Sequence, residues 1–158
     1  MSLPPFKKPP KKRSCNMSAI RSTGNKSTEK RLTSLLKRQG IRGWKLHPNR
    51  IAGKPDFVIA RERVAVFVDG CFFHGCPRCG HIPKTNTAYW AAKIARNKRR
   101  DIAVSRTLRN SGYCVVRIRE CQLRTNPERC LDRISHELLR RNRDNNAAGE
   151  CRCGPIKP

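Results

Sequence analysis

Apolar positions follow two periods along this chain, and the switches between them mark its elements. From Thr28 to Gln39 they recur at helical spacing, with Leu32, Leu35 and Leu36 on one stripe and Gly40 as a stop. Trp44 to His47 predicts a short strand, and Pro48 to Pro55 a loop that delivers Gly53-Lys54-Pro55 just ahead of Asp56. Phe57-Val58-Ile59-Ala60 and Val64-Ala65-Val66-Phe67-Val68 are short, unbroken apolar runs of the kind that form buried strands, with Arg61-Glu62-Arg63 as the polar turn between them. A Gly-, Cys- and Pro-rich segment without periodicity then runs to about Thr87. Ala88 to Asn110 predicts a helix ended by Ser111-Gly112. Tyr113 to Arg119 alternates as a strand, placing Cys114, Val116 and Ile118 on one face. Asn126-Pro127-Glu128 supplies cap, first position and first-turn acid for a last helix carrying Leu131, Ile134 and Leu138. The order α, β, β, β, α, β, α predicts an α/β fold, a mixed sheet with helices around it. Residues 1–16 are too rich in Pro and Lys to fold and read as a disordered basic arm. The stretch from Arg143 onward reads as tail, which leaves 17–142 as one domain.

The central hairpin is bracketed by acids. If the chain turns between Glu62 and Arg63, Asp56 lies directly opposite Asp69, roughly 5 Å away at Cβ and on the same face. Two carboxylates held that close repel unless a cation sits between them, and a hard, oxygen-preferring ion such as Mg²⁺ suits the pair. Either acid alone is an ordinary turn residue, since Asp follows Pro at one end and precedes Gly at the other. Scarcity changes the balance: the chain holds only 11 Asp and Glu against 36 Lys and Arg.

That imbalance gives 158 residues a formal net charge of +25, which predicts a polyanion partner, nucleic acid first. An anionic membrane is the rival, but no long apolar segment and no strongly amphipathic helix supports it. The nine cysteines are an odd count, and Pro, Lys and Arg rather than a secretory signal open the chain. A reduced, cytoplasmic compartment and a metal site explain the thiols better than disulfides do.

Cys71-x4-Cys76-x2-Cys79 offers three ligands in a segment that cannot bury a core of its own, with the CxxC spacing of structural zinc knuckles. The fourth ligand is Cys121, which would tie the loop to the end of a strand, or His81, which is local. Cys114 reads as a core residue, and Cys151 and Cys153 as free thiols in the tail. His74 either competes with these sulfurs or, beyond the open end of the hairpin, faces the acids as a general base or a holder of water or phosphate. The sulfurs are better placed, which favours the second reading. Glu29 points to the apolar side of its helix, as a first-turn acid or as a third acid reaching the site.

With these elements placed, the chain resembles the very short patch repair (Vsr) DNA mismatch endonucleases. The matching pieces, in order, are Met17 to Arg21, Thr28 to Leu32, Gly53 to Asp56, Phe67 to His74, Pro83 to Thr85 with Tyr89-Trp90, Lys93-Ile94 with Asn97 and Asp101, and Glu120-Cys121. The resemblance implies a restriction-endonuclease-like fold of the PD-(D/E)XK type, a structural zinc, double-stranded DNA as partner and action as a monomer. It also implies a Mg²⁺-dependent nick of one strand beside a T:G mismatch. By position, Asp56 becomes the essential metal-binding carboxylate, the backbone carbonyl of Val68 a second metal contact, His74 the catalytic histidine and Glu29 a supporting acid. Cys71, Cys76, Cys79 and Cys121 become the zinc ligands. Phe72, Phe73 and Trp90 become the aromatics that wedge into the base stack, where a mismatch is cheaper to open than a paired step. The family usually has Cys-Phe-Trp-His where this chain has Cys71-Phe72-Phe73-His74, and Trp-Glu-Cys where it has Arg119-Glu120-Cys121.

Three readings follow. The first is a Mg²⁺-dependent endonuclease in which Asp56 and Asp69 place the metal, His74 activates or orients the nucleophile, and Lys93, Arg96 and Lys98 hold phosphates. The second is a zinc-stabilised DNA-binding protein without catalysis, which leaves acids beside a polyanion unexplained. The third is a related nuclease with another DNA specificity.

Overall fold

The structure is a computed structural model that describes residues 3–8 and 28–150. Among the described residues eight elements form three layers: α1 (Glu29–Arg38), β1 (Trp44–Leu46), β2 (Phe57–Ile59), β3 (Val64–Asp69), α2 (Thr87–Asn110), β4 (Cys114–Arg119), α3 (Glu120–Thr125) and α4 (Pro127–Glu150). The sheet runs β1-β2-β3-β4. The first three strands form an antiparallel meander, and β4 joins β3 in parallel after the long crossover through α2.

Strand alternation divides the interior in two. Phe57, Ile59, Val64, Val66, Val116 and Ile118 face α1, α3 and α4, where Leu32, Leu36, Leu123, Leu131 and Ile134 close the larger core. Val58, Ala65 and Phe67 face the other way, onto Leu108 of α2 with Val104 beside it. Cys114 packs at the edge of the larger core, and its Sγ lies 3.2 Å from Glu137 Oε2.

The predicted elements are present with bounds shifted by a residue or two, and three differences matter. The hairpin turn is centred one residue earlier than predicted. Arg63 N–H donates to the Ala60 carbonyl at 3.2 Å, so Ile59 and Val64 are the last pair and Phe57 stands opposite Val66. Continuing that register sets Asp56 against Phe67, and Asp69 is not its partner. Because the slip is two residues, both acids keep the face expected of them, toward α2. The short helix α3 was not predicted, since its six residues are too few for periodicity to register. Helix α4 continues past Arg143 to Glu150, beyond the point where the sequence reads as tail.

Of the basic arm, residues 3–8 lie against the start of α2. Lys7 exchanges two backbone hydrogen bonds with the Asn86 side chain, at 3.1 and 2.8 Å, and Phe6 packs on Tyr89. The rest of the arm, Met17 to Arg21 and the tail thiols Cys151 and Cys153 lie outside the described residues.

Candidate active site and metal centres

Helix α2 carries one stripe toward the sheet: Trp90, Ile94, Asn97, Asp101, Val104 and Leu108. Its ends are apolar and its middle is polar. The polar middle pins the loop after β3. Asn97 donates to the Phe73 carbonyl at 2.8 Å, and Asp101 Oδ2 receives a hydrogen bond from His74 Nδ1 at 2.6 Å. Gly75 lets this loop approach: φ is +55°, and a Cβ there would come within 2.6 Å of Ile94 Cγ2. A cavity of about 500 Å³ opens between loop, helix and sheet, lined among others by Glu29, Asp56, Asp69, His74, Asp101 and Arg117. Asp56 and His74, the two residues the hydrolytic reading needs together, thus face one space from one side of the sheet.

Within the cavity the acids form two groups of different character. Glu29, His47 and Asp56 hold ligand atoms within 4.8 Å of one another. Asp56 Oδ2 accepts the Val68 backbone N–H at 2.7 Å, and His47 Nε2 lies 2.9 Å from Glu29 Oε2. Burial raises the Asp56 carboxyl above its ordinary value, the Val68 N–H opposes that, and the neighbouring Glu29 charge adds to the rise. A divalent cation removes both penalties at once, so this donor set fits one.

Asp69, His74 and Asp101 form the second group. Here the compensation comes from protein. Arg117, directly across from Phe67 on β4, lays its guanidinium over that ring at 4.6 Å and grips Asp69 through Nε at 2.8 Å and Nη2 at 2.5 Å. The same Nη2 reaches Asp101 at 3.0 Å. Asp69 was expected to share a metal with Asp56; instead its carboxylate is held by arginine, because the slipped hairpin register and the parallel β3·β4 pairing put Arg117 beside it. The carboxylate at His74 Nδ1 requires that nitrogen to carry the proton, which leaves Nε2 to accept one.

The thiols gather as a third cluster. Cys71, Cys76, Cys79 and Cys121 bring their sulfurs within 4.8 Å of one another, and those of Cys76 and Cys121 are 3.6 Å apart. Four sulfurs at Zn–S of about 2.3 Å around a tetrahedral ion stand roughly 3.8 Å from each other, so the cluster fits such an ion. Burial would raise the Cys76 thiol, but backbone N–H groups of Arg78 and Cys79 and the neighbouring sulfurs overcome it and lower it to about 6. Helix α3 turns Cys121 inward from the end of β4, so the fourth member is Cys121 and the exposed His81 is not part of the group.

Phe72, Phe73 and Trp90 meet in one cluster, with centroids 5.0 Å apart for Phe72–Trp90 and for Phe72–Phe73. The two phenylalanines can share a side because their segment is a turn, not an extended strand. Trp90 is buried beneath them. Of the predicted phosphate-holding cations, Arg96 and Lys98 are exposed, whereas the Lys93 ammonium sits over the rings of Tyr89 and Trp90 at 5.5 and 5.4 Å.

Sequence reasoning gave no role to His47, Asp101, Asn97 or Arg117. The two α2 residues had a signal, an amide and an acid on an otherwise apolar stripe. Arg117 had one too, a charge on a strand whose other face is core. His47 had none, because its importance depends on which strand pairs with β2.

The sequence matches the family described as DNA mismatch endonuclease Vsr over residues 7–79. It is 44% identical over 112 residues to the type II nicking enzyme V.NaeI of Lentzea aerocolonigenes, a match covering 68% of this chain and 67% of that protein. It is 39% identical over 108 residues to the type II nicking enzyme V.NmeAIP of Neisseria meningitidis, covering 67% and 74%. With the DNA mismatch endonuclease Vsr of Escherichia coli it shares 39% over 114 residues, 71% of each chain. Identity of this order across two thirds or more of both partners places the chain in the Vsr family of DNA endonucleases.

Proposed function

We propose that this endonuclease nicks one strand of duplex DNA at or beside a T:G mismatch in a Mg²⁺-dependent reaction, on a sheet of the restriction-endonuclease type braced by zinc in the four-thiol cluster. The observation that carries the reading is the shared cavity: Asp56, buried and facing the Glu29 carboxylate, opens on the same space as a histidine whose Nδ1 is held by Asp101.

Asp56 and Glu29, with the carbonyl of Val68, would hold the divalent ion, which supplies charge to phosphate oxygens and acidifies water. His74 accepts the nucleophile's proton at Nε2, and Asp101 fixes the ring and the tautomer while it does so. Asp69 acts at one remove: bound to Arg117, it keeps that guanidinium against Asp101 and so keeps the histidine's support in place. Arg96, exposed on α2, and Lys98, beside Gly75 of the loop, hold backbone phosphates, and Lys93 borders the aromatic face. Phe72 and Phe73, propped on Trp90, offer the apolar surface that can offset lost stacking at an opened step.

Duplexes with one labelled strand, matched or carrying T:G or another mismatch, test this in Mg²⁺. A single-strand nick confined to T:G and absent in Asp56→Ala is expected, with DNA binding retained by the variant. A protein that binds DNA without cutting it would behave the same with and without Asp56. A second specificity is favoured by Phe73, which stands where the family usually carries Trp, and by the relatives named as type II nicking enzymes. Nicking of matched or other mismatched duplexes in preference to T:G would establish it.

A further inference from the structure

We propose that His47 is a nitrogen ligand in the Asp56 site, and that it makes the site bind a first-row transition-metal ion such as Mn²⁺ more tightly than Mg²⁺. The inference rests on the reading of Asp56 as a metal ligand and adds to it a residue and an ion preference.

Backbone geometry brings His47 there. Leu46 pairs with Phe57 in the β1·β2 ladder, and the next step is made by His47 N–H donating to the Asp56 carbonyl at 3.1 Å. Directly opposed residues share a face, so the imidazole and the Asp56 carboxylate are cross-strand neighbours. Across the space between them stands Glu29 from the start of α1, whose Oε2 is 2.9 Å from His47 Nε2. One nitrogen and two carboxylates, from three separate elements, converge within 4.8 Å. A surface histidine pairing with a nearby acid needs no such convergence.

The conformation of His47 points the same way. Its φ is +42°, in the left-handed region, and it precedes Pro48, which disfavours helical backbone in the residue before it. A non-glycine residue held there is strained, and such strain is retained where a side chain is being aimed.

Donor chemistry then sets the ion. Mg²⁺ takes oxygen ligands in near-ideal octahedra and keeps several waters, while imidazole suits metals further along the first transition row. Two carboxylates and a carbonyl would serve Mg²⁺ by themselves. An imidazole added to them adds little for Mg²⁺ and more for Mn²⁺.

The test uses the full chain with its thiol cluster loaded with zinc. Mn²⁺ is titrated calorimetrically, and the bound ion is read by electron spin-echo envelope modulation. Nitrogen-14 modulation from one imidazole is expected in the unaltered protein, replaced by the nitrogen-15 pattern after histidine labelling. In His47→Asn, a residue that tolerates left-handed backbone, the modulation should vanish and Mn²⁺ affinity fall about tenfold or more, with Mg²⁺ affinity nearly unchanged. His74→Ala should keep the signal. Bound Mn²⁺ without nitrogen modulation in the unaltered protein, or modulation that persists in His47→Asn, overturns the proposal. Asp56→Asn separates the two levels. If it binds Mn²⁺ as before, the metal reading of Asp56 fails; if it loses Mn²⁺ while the unaltered protein shows no nitrogen, only the role of His47 fails.

Discussion

Asp56 and Asp69 lie on one face of one hairpin, yet the protein treats them oppositely. Asp69 is gripped by Nε and Nη2 of a guanidinium and flanked by a histidine, so its charge is answered within the fold. Asp56 has one backbone N–H and a facing carboxylate, and burial adds to its cost. The protein has 36 Lys and Arg, and among the described residues no ion pair joins one of them to Asp56 as Arg117 is joined to Asp69. On the proposed reading, the less compensated charge is the one that an outside cation answers. The compensated one marks a scaffold.

The sharpest way to break the contrast is to neutralise each acid in turn. Asp56→Asn should lower the nicking rate by about 10³-fold or more, roughly 4 kcal/mol of barrier, while leaving the metal-free protein at least as heat-stable as before. Asp69→Asn should cost about tenfold in rate and lower the melting temperature. Single-turnover cleavage beside thermal melting reads both, and equal rate losses for the two variants would erase the distinction.

Next comes the support of the histidine. Asp101→Asn keeps the shape but can offer its amide N–H to His74 Nδ1, which favours the wrong tautomer. A loss of about 10²-fold in kcat with little change in KM is expected. A change confined to KM would make Asp101 a binding residue instead.

The thiol cluster extends the comparison to a site where, on the proposed reading, the ion would be structural. Cys121→Ser removes the ligand that ties the loop of Cys71, Cys76 and Cys79 to α3, and should cost about 3 kcal/mol of stability with loss of one zinc per chain. Activity should fall with the folded fraction, because His74 leaves the same loop three residues after Cys71. Zinc content and melting temperature measure the first effect, and rate per folded molecule the second.

Much of this was legible from residue order alone. Unbroken apolar runs with a charged turn gave the β2–β3 hairpin, the alternation of Cys114, Val116 and Ile118 gave the inner face of β4, and cysteine spacing in a coreless segment gave three members of the thiol cluster. What stayed hidden depended on pairing. A turn centred one residue away moves a partner by two, so Asp69 was set against Asp56 when Arg117 was waiting on the parallel neighbour. No local pattern announces that β4 will join β3, nor that β1 will carry His47 to the end of β2. Helix α3 stayed hidden for a different reason, being shorter than two turns.

Arg117→Met tests the scaffold half of the contrast more gently. It strands Asp69 and Asp101 beside each other, and for side chains still partly open to water the expected cost is about 1–3 kcal/mol, well under that of a fully buried pair. Adding Asp69→Asn should return part of that loss, so the double variant melts above Arg117→Met. Strict additivity in the cycle would mean the pair is not coupled.

The smallest effect is the pH dependence of stability, and its sign discriminates. Because the Asp56 carboxyl is raised in the fold, chiefly by burial, it contributes stability below its unfolded value and loses that contribution as pH climbs through the raised one. Zinc-loaded protein without added Mg²⁺ should therefore carry a declining component of melting temperature across that window. An ion bound by the ionised form reverses the slope, since metal and proton compete for the same oxygens and affinity grows as the proton leaves. Melting curves against pH with and without Mg²⁺ should diverge toward neutral pH in the unaltered protein and run parallel in Asp56→Asn. Divergence that survives in Asp56→Asn but disappears in Asp69→Asn would move the cation to the other acid, and the contrast between the two carboxylates would have to be drawn in reverse.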